Sequence, residues 1–166
     1  MRVKSKGFTL IEIMVVVVIA AIMMGAVTLS FPNSTGEDIL KKEADRFEAL
    51  MHFAQDEATL QSREFALALD QTGYTFYFND DGNWSEAQDS FSRNDLPDVV
   101  LPSLILEEQT IALGKKNKVK PQILILSTGE VTPFRYKLSY LNEVSKLIDV
   151  DAGGLISQTT DDSNAK

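Results

Sequence analysis

Glu12 is the only charged residue between Phe8 and Phe31, set in an otherwise apolar run. An ionised carboxylate at the centre of a bilayer-length helix costs roughly 2.5–3.5 kcal/mol on insertion scales, so a helix that keeps one usually has a cation for it. The chemistry to expect of Glu12 is therefore charge pairing, and the natural partner is an amine. Arg2, Lys4 and Lys6 precede the run, on a short leader that ends in Gly7. A secretory signal peptide places its small-residue cleavage site after the apolar stretch, whereas here the candidate site comes before it. A cut between Gly7 and Phe8 would leave the run as the start of the mature chain and create an α-amino cation close to Glu12 in sequence.

The element that must position these groups is a membrane-length helix. Residues 8–31 would reach roughly 36 Å as a helix, slightly more than the hydrocarbon core. The basic leader before the run, against Glu37 and Asp38 after it, predicts a cytoplasmic amino end and an exported bulk. Ala21 and Gly25 form a small-xxx-small pair of the kind that lets a second helix approach. A plain signal anchor, with Glu12 resting in the interface at the positive end of the helix dipole, is the simpler alternative. It leaves the Gly7-Phe8 junction without a reason.

Beyond Pro32 the period changes twice. Leu40, Ala44, Phe47, Met51, Ala54 and Ala58 recur at alternating spacings of four and three, which predicts an amphipathic helix with its apolar face on a following domain. After Arg63 come short apolar runs. Phe65 to Leu69 and Tyr74 to Phe78, joined by Asp70-Gln71-Thr72-Gly73, read as a β-hairpin. Further strands are expected at Val99 to Leu101, Leu104 to Leu106, Thr110 to Leu113, Ile123 to Leu126, Thr132 to Tyr140, Leu147 to Val150 and Leu155 to Ser157. Ser85 to Asn94 is expected to be a mobile loop, and Thr159 to Lys166 a frayed tail. The fold class is α+β, a long amino-terminal helix on an antiparallel, sandwich-like β domain.

Other chemistry is poorly supported. His52 is the only histidine, between Met51 and Phe53 on the predicted helix, and no nucleophile motif or metal-binding His pair accompanies it. No catalytic residue, metal or cofactor is expected. Asn79-Asp80-Asp81-Gly82-Asn83 offers oxygen ligands for calcium but lacks the twelve-residue ligand spacing, so a solvated turn is the preferred reading. The basic cluster Lys115-Lys116-Asn117-Lys118-Val119-Lys120 reads as a solvated loop, with docking on an acidic partner as the alternative. The formal charge is −8, and loss of the three leader cations would take it to −11. Such a surface repels nucleic acid and anionic lipid. The absence of cysteine excludes disulfides and thiolate metal sites.

Gly7 before the cut, Phe8 after it, Thr9-Leu10-Ile11 and Glu12 at the acidic position together resemble the leader of the type IV pilin-like class. In that class prepilin peptidase cuts the leader and methylates the new amino terminus, here Phe8. Phe53 to Ala58, Gly73 to Phe76, Trp84 and the stretch Ile123 to Phe134 are similar to the soluble part of the H-type minor pseudopilins of type II secretion and to related minor type IV pilins (FimT and FimU). Ser85 to Lys120 carries no resemblance. The resemblance implies a leader over 1–7, a transmembrane and assembly helix over 8–31, an amphipathic periplasmic helix over 32–61, a periplasmic β domain over 62–158 and a disordered tail over 159–166.

It also implies a structural subunit held in the inner membrane, built with other minor and major pseudopilins into a filament tip that supports export of folded proteins across the outer membrane. Prepilin peptidase is a further implied partner, nucleic acid is not, and Glu12 is implied to pair with a neighbour's Phe8 amine. A minor pilin of a type IV pilus is the nearest alternative. A membrane-anchored periplasmic enzyme or binding module is the alternative of a different class.

Overall fold

The computed structural model describes residues 9–28, 35–116 and 120–161. The chain divides into two compact units, Met1–Ser34 and Thr35–Lys166. In the first, helix α1 spans Leu10–Thr28, and every described side chain from Leu10 to Ile22 is exposed.

The second unit opens with α2, Gly36–Gln61. Its start is written locally. The Thr35 hydroxyl oxygen accepts from the Asp38 amide and the Asp38 carboxylate accepts from the Thr35 amide, a reciprocal capping box that satisfies two otherwise orphaned donors. The Thr35 hydroxyl, donating to the Asp38 carboxylate at 2.9 Å, and the Thr35 amide hold that carboxyl below the usual carboxylate range. The helix ends at Ser62, which turns left-handed at φ 51° and donates its amide to the Ala58 and Thr59 carbonyls. Between these caps, Leu40, Ala44, Phe47, Met51, Ala54 and Ala58 are buried to 1 % exposure or less. The expected helix over 32–61 therefore begins later, at Gly36, and residues 32–34 lie outside the described residues.

Among the described residues ten strands follow in two antiparallel sheets. The first sheet holds β1 (Phe65–Asp70), β2 (Gly73–Asp80), β3 (Asn83–Glu86), β4 (Asn94–Asp95) and β7 (Ile123–Ile125), in the order β3-β2-β1-β7 with β4 also on β2. The second holds β5 (Val100–Leu106), β6 (Gln109–Ile111), β8 (Phe134–Tyr140), β9 (Val144–Val150) and β10 (Ile156–Asp161), in the order β10-β9-β8-β5-β6. A bridge from Ile125 to Val131, and the Val131 amide donating to the Ala152 carbonyl at 3.1 Å, tie the sheets together.

The inner faces of both sheets and the apolar stripe of α2 share one core. Phe47 sits at its centre, edge-on to Tyr74 at 5.1 Å and tilted on Tyr136 at 4.7 Å between ring centroids. The expected Asp70-to-Gly73 hairpin is present, in the register Asp70 to Gly73 through Phe65 to Phe78. Gly73 is required there because a Cβ would stand 2.1 Å from the Asn94 carbonyl oxygen, where β4 crosses the hairpin.

Several strand expectations need correction. Val99 to Leu101 and Leu104 to Leu106 are one strand, β5, which runs through Pro102. β5 pairs with β8 along its length but with β6 only from Leu104 to Leu106, so the donor that Pro102 lacks falls outside the shorter ladder. The strand expected from Thr132 begins at Phe134, and the one expected from Leu147 begins at Val144. Ser85 to Asn94, expected as a mobile loop, contains the end of β3, a 3₁₀ turn at Asp89–Phe91 and the start of β4. Its one aromatic, Phe91, is 8 % exposed and packs on Phe53, Phe65 and Phe76, which anchors an otherwise polar stretch. The tail expected from Thr159 is strand as far as Asp161, because Thr159, Thr160 and Asp161 pair with Leu147, Lys146 and Ser145 of β9. Backbone pairing at an edge does not need apolar side chains. Residues 162–166 lie outside the described residues.

Candidate functional site

Gly7 and Phe8 lie outside the described residues. Glu12 stands in the first turn of α1. Its Oε2 accepts from the Thr9 amide and the Thr9 hydroxyl, each at 3.4 Å, while the Glu12 amide donates to Thr9 Oγ1 at 3.4 Å. Thr9-Leu10-Ile11-Glu12 is thus a long-range version of the capping box that opens α2, and the acid helps to close its own helix end. The two bonds that the carboxylate accepts are at the weak limit for hydrogen bonds, so it is held loosely and is open to a stronger donor. From Leu10 to Ile22 the rest of α1 is apolar on all sides, with Leu10, Ile11, Val15 and Ile19 each more than half exposed. A helix with no polar face needs lipid or other apolar helices around it.

Among the described residues, no helix is long and apolar enough to cross a membrane. The described part of α1 is 19 residues, about 28 Å at the helical rise, and the expected span of residues 8–31 passes beyond it at both ends.

The other groups singled out above have ordinary surroundings. His52 is exposed on α2 and faces Glu48 of the same helix at 3.7 Å. The turn after β2 is closed by the Gly82 amide donating to Asn79 Oδ1 at 2.8 Å, and Asp80 pairs with Arg63 at 3.0 Å. Among the described residues no cluster of acids and histidine could hold a metal ion. From the basic cluster, Lys116 reaches back to both oxygens of Asp95 at 3.0 Å, and residues 117–119 lie outside the described residues.

That contact ends a polar network absent from the sequence reading. Arg93, with its side chain 14 % exposed, donates to both carboxylate oxygens of Asp70 at 2.7 and 3.0 Å, to Asp95 at 2.7 Å and to the hydroxyls of Thr72 and Thr75. Burial pushes the Asp70 carboxyl up, but hydrogen bonds from Arg93 and Thr72 outweigh it and leave it below the usual carboxylate range. The hydrogen bond to Asp70 raises the Arg93 guanidinium, and Lys116 holds Asp95 down. The network joins the β1–β2 turn, the start of β4 and the segment before residue 117. Nothing periodic in the sequence announces it, since Asp70 and Arg93 are far apart along the chain.

A cappable apolar helix with a single acid, followed by a second helix laid on two antiparallel sheets, defines a pilin-like subunit. The Prokaryotic N-terminal methylation motif matches residues 2–28, and the family described as Type II transport protein GspH matches residues 43–154. The second match spans the region from Ser85 to Lys120 that carried no resemblance in the sequence reading. Type II secretion system protein H of Pseudomonas aeruginosa is 32 % identical over 158 residues, covering 90 % of this chain and 92 % of that protein. The chain belongs to the GspH family and is a GspH-like minor pseudopilin. The solved minor pseudopilin EpsH of Vibrio cholerae superposes with a TM-score of 0.62 at 20 % identity, over 73 % of this chain and 95 % of that one. The type IV minor pilin FimU of Pseudomonas aeruginosa shares the fold more distantly, with a TM-score of 0.51 at 16 % identity over 72 % of this chain and 87 % of that one.

Proposed function

We propose that this chain is a non-enzymatic subunit of the tip or initiation complex of a type II secretion pseudopilus. In this reading it is anchored by residues 8–31 in the inner membrane, with its β domain in the periplasm, and supports export of folded proteins across the outer membrane. Prepilin peptidase cuts between Gly7 and Phe8 and methylates Phe8. Other minor and major pseudopilins then surround the apolar helix. Burial of the run supplies adhesion without register, and pairing of the Glu12 carboxylate with a neighbour's Phe8 amine supplies the register, since an unpaired charge at that depth is unfavourable.

The observation that carries this reading is the lone, loosely held Glu12 on a helix with no polar face, together with the methylation motif over residues 2–28. Mass spectrometry of the protein from its native membrane tests it. The expected first residue is N-methylated Phe8. An intact Met1, or a cut beyond Phe31, would sink the assignment.

A further inference from the structure

At the carboxy-terminal end of α2 a cleft of about 590 Å³ opens between the helix and the segment from Ser85 to Phe91. Apart from Ala87, its apolar lining is aromatic, from Phe53, Phe65, Phe78 and Phe91. Phe53 departs from the rest of its helix. The apolar stripe of α2 is buried, whereas Phe53 is 39 % exposed and lies flat on Phe91, with ring centroids 4.8 Å apart and planes 12° apart. Leu60, two turns on along the same side, is 79 % exposed. Apolar surface is therefore left at and beside the cleft, uncovered by any of the described residues.

The polar lining is unbalanced. Glu57, Glu86 and Asp89 face one cation, Arg63, whose charge is met by Asp80 at 3.0 Å and whose guanidinium lies 4.5 Å over the Phe78 ring. Among the described residues the ion pairs of the domain engage Glu43, Glu48, Asp70, Asp80, Asp95 and Asp149, and Glu57, Glu86 and Asp89 are in none, although Glu57 accepts a hydrogen bond from Gln61 of its own helix. The wall that carries two of these acids is fixed by the Ala87 amide donating to the Phe76 carbonyl at 2.9 Å and by the buried Phe91 ring. Aromatic faces attract cations, and nearby carboxylates without counterions strengthen that attraction.

We infer that this cleft is a docking site for an arginine or lysine side chain flanked by an apolar residue, presented by a partner protein. Charge complementarity selects that occupant over a second copy of this chain, whose formal charge is −8, and over any anionic ligand. The inference goes beyond the filament reading, and its test needs no filament, so its failure would leave that reading standing.

The full chain in detergent micelles, labelled for NMR, is titrated with acetyl-Arg-Leu-Arg-amide and with acetyl-Glu-Leu-Glu-amide. The basic peptide should shift the amides of Ser85 to Phe91 and of α2 around Phe53 saturably, at a concentration on the order of 1 mM, and more weakly at high salt. The acidic peptide should leave them in place. Phe53→Ala and Glu86→Gln, both at exposed positions, should each weaken the response at least about three-fold, a difference of about 0.7 kcal/mol or more. Equal responses to the two peptides, no saturable shift, or shifts confined to another face would overturn the inference. So would shifts of these amides on concentrating the chain alone, which would put a second copy in the cleft.

Discussion

At residue scale, Glu12 has two possible jobs that substitutions can separate. In the single chain its carboxylate closes the start of α1 with Thr9; in an assembly it would meet an amine. Glutamine at the third helical position still completes a capping box but carries no charge. Glu12→Gln is therefore expected to leave α1 and membrane insertion intact while cross-linking to neighbouring pseudopilins falls, and Glu12→Leu should behave the same way in cross-linking. Glu12→Asp keeps the charge with a shorter reach. If all three variants cross-link like the parent, pairing is not what sets register and apolar adhesion is sufficient. Asp70 and Arg93 form the other residue-scale test. Removing one partner of a buried pair strands the other, at about 3–5 kcal/mol. Arg93→Met should lower the unfolding free energy, measured by denaturant titration, by an amount in that range, and the double change Asp70→Asn with Arg93→Met should recover part of it. A single variant with unchanged stability would show that solvent already screens the pair.

At the scale of elements, α2 is the piece on which both sheets close. Phe47→Ala removes a ring with no exposure and three aromatic neighbours, and truncation of a core phenylalanine costs about 3–5 kcal/mol. Thermal unfolding of the variant followed by circular dichroism should show a loss in that range; a loss under about 1 kcal/mol would mean that the core collapses around the gap. This helix was legible from the sequence because its apolar residues keep one period over several turns. The β1–β2 hairpin was legible because its turn residues stand between two apolar runs. β3 and β4 were not. Their stretch has no alternation, and its order depends on contacts that only the fold makes: the ladders to β2, the Ala87 amide on the Phe76 carbonyl, and the buried Phe91 ring, whose partners Phe53, Phe65 and Phe76 belong to three other elements. The end of β10 was hidden for a related reason, since Thr159 and Thr160 are held by the ladder to β9 and not by burial. Residue type and spacing single out Gly7, Phe8 and Glu12 for the processing and assembly roles proposed above. The cleft beside Phe53 was invisible, because it is formed by segments that only the fold brings together.

For the whole molecule, pH is the simplest lever. Asp70 and Asp95 have carboxyls lowered in the folded chain, so on the acid side the unfolded chain binds more protons than the folded one. Their contribution is complete above the unfolded carboxylate range near 4 and is lost as pH falls through the lower folded values. Stability should therefore be flat from about pH 6 to 8 and fall below about pH 4. Arg93→Met should make that fall shallower, and a parent protein with no acid-side loss would rule out the network as its source. The acidic surface works in the same molecule-wide way, since a formal charge of −8 disfavours self-association of the chain.

The cap at Thr35 and Asp38 has a mechanical meaning. A helix whose first amides are already satisfied does not borrow its first turn from the chain before it, so α2 can stay whole when that chain is pulled. Its buried stripe runs from Leu40 to Ala58 along one face, and a load entering at Thr35 along the helix axis must slide all of those side chains over the sheet together. Contacts loaded in parallel resist as a sheared joint does, whereas contacts loaded in series peel. Pulled in an optical trap between Thr35 and Val150, the domain should give way in one abrupt rupture; a gradual, stepwise extension would show that α2 peels from the sheets one turn at a time.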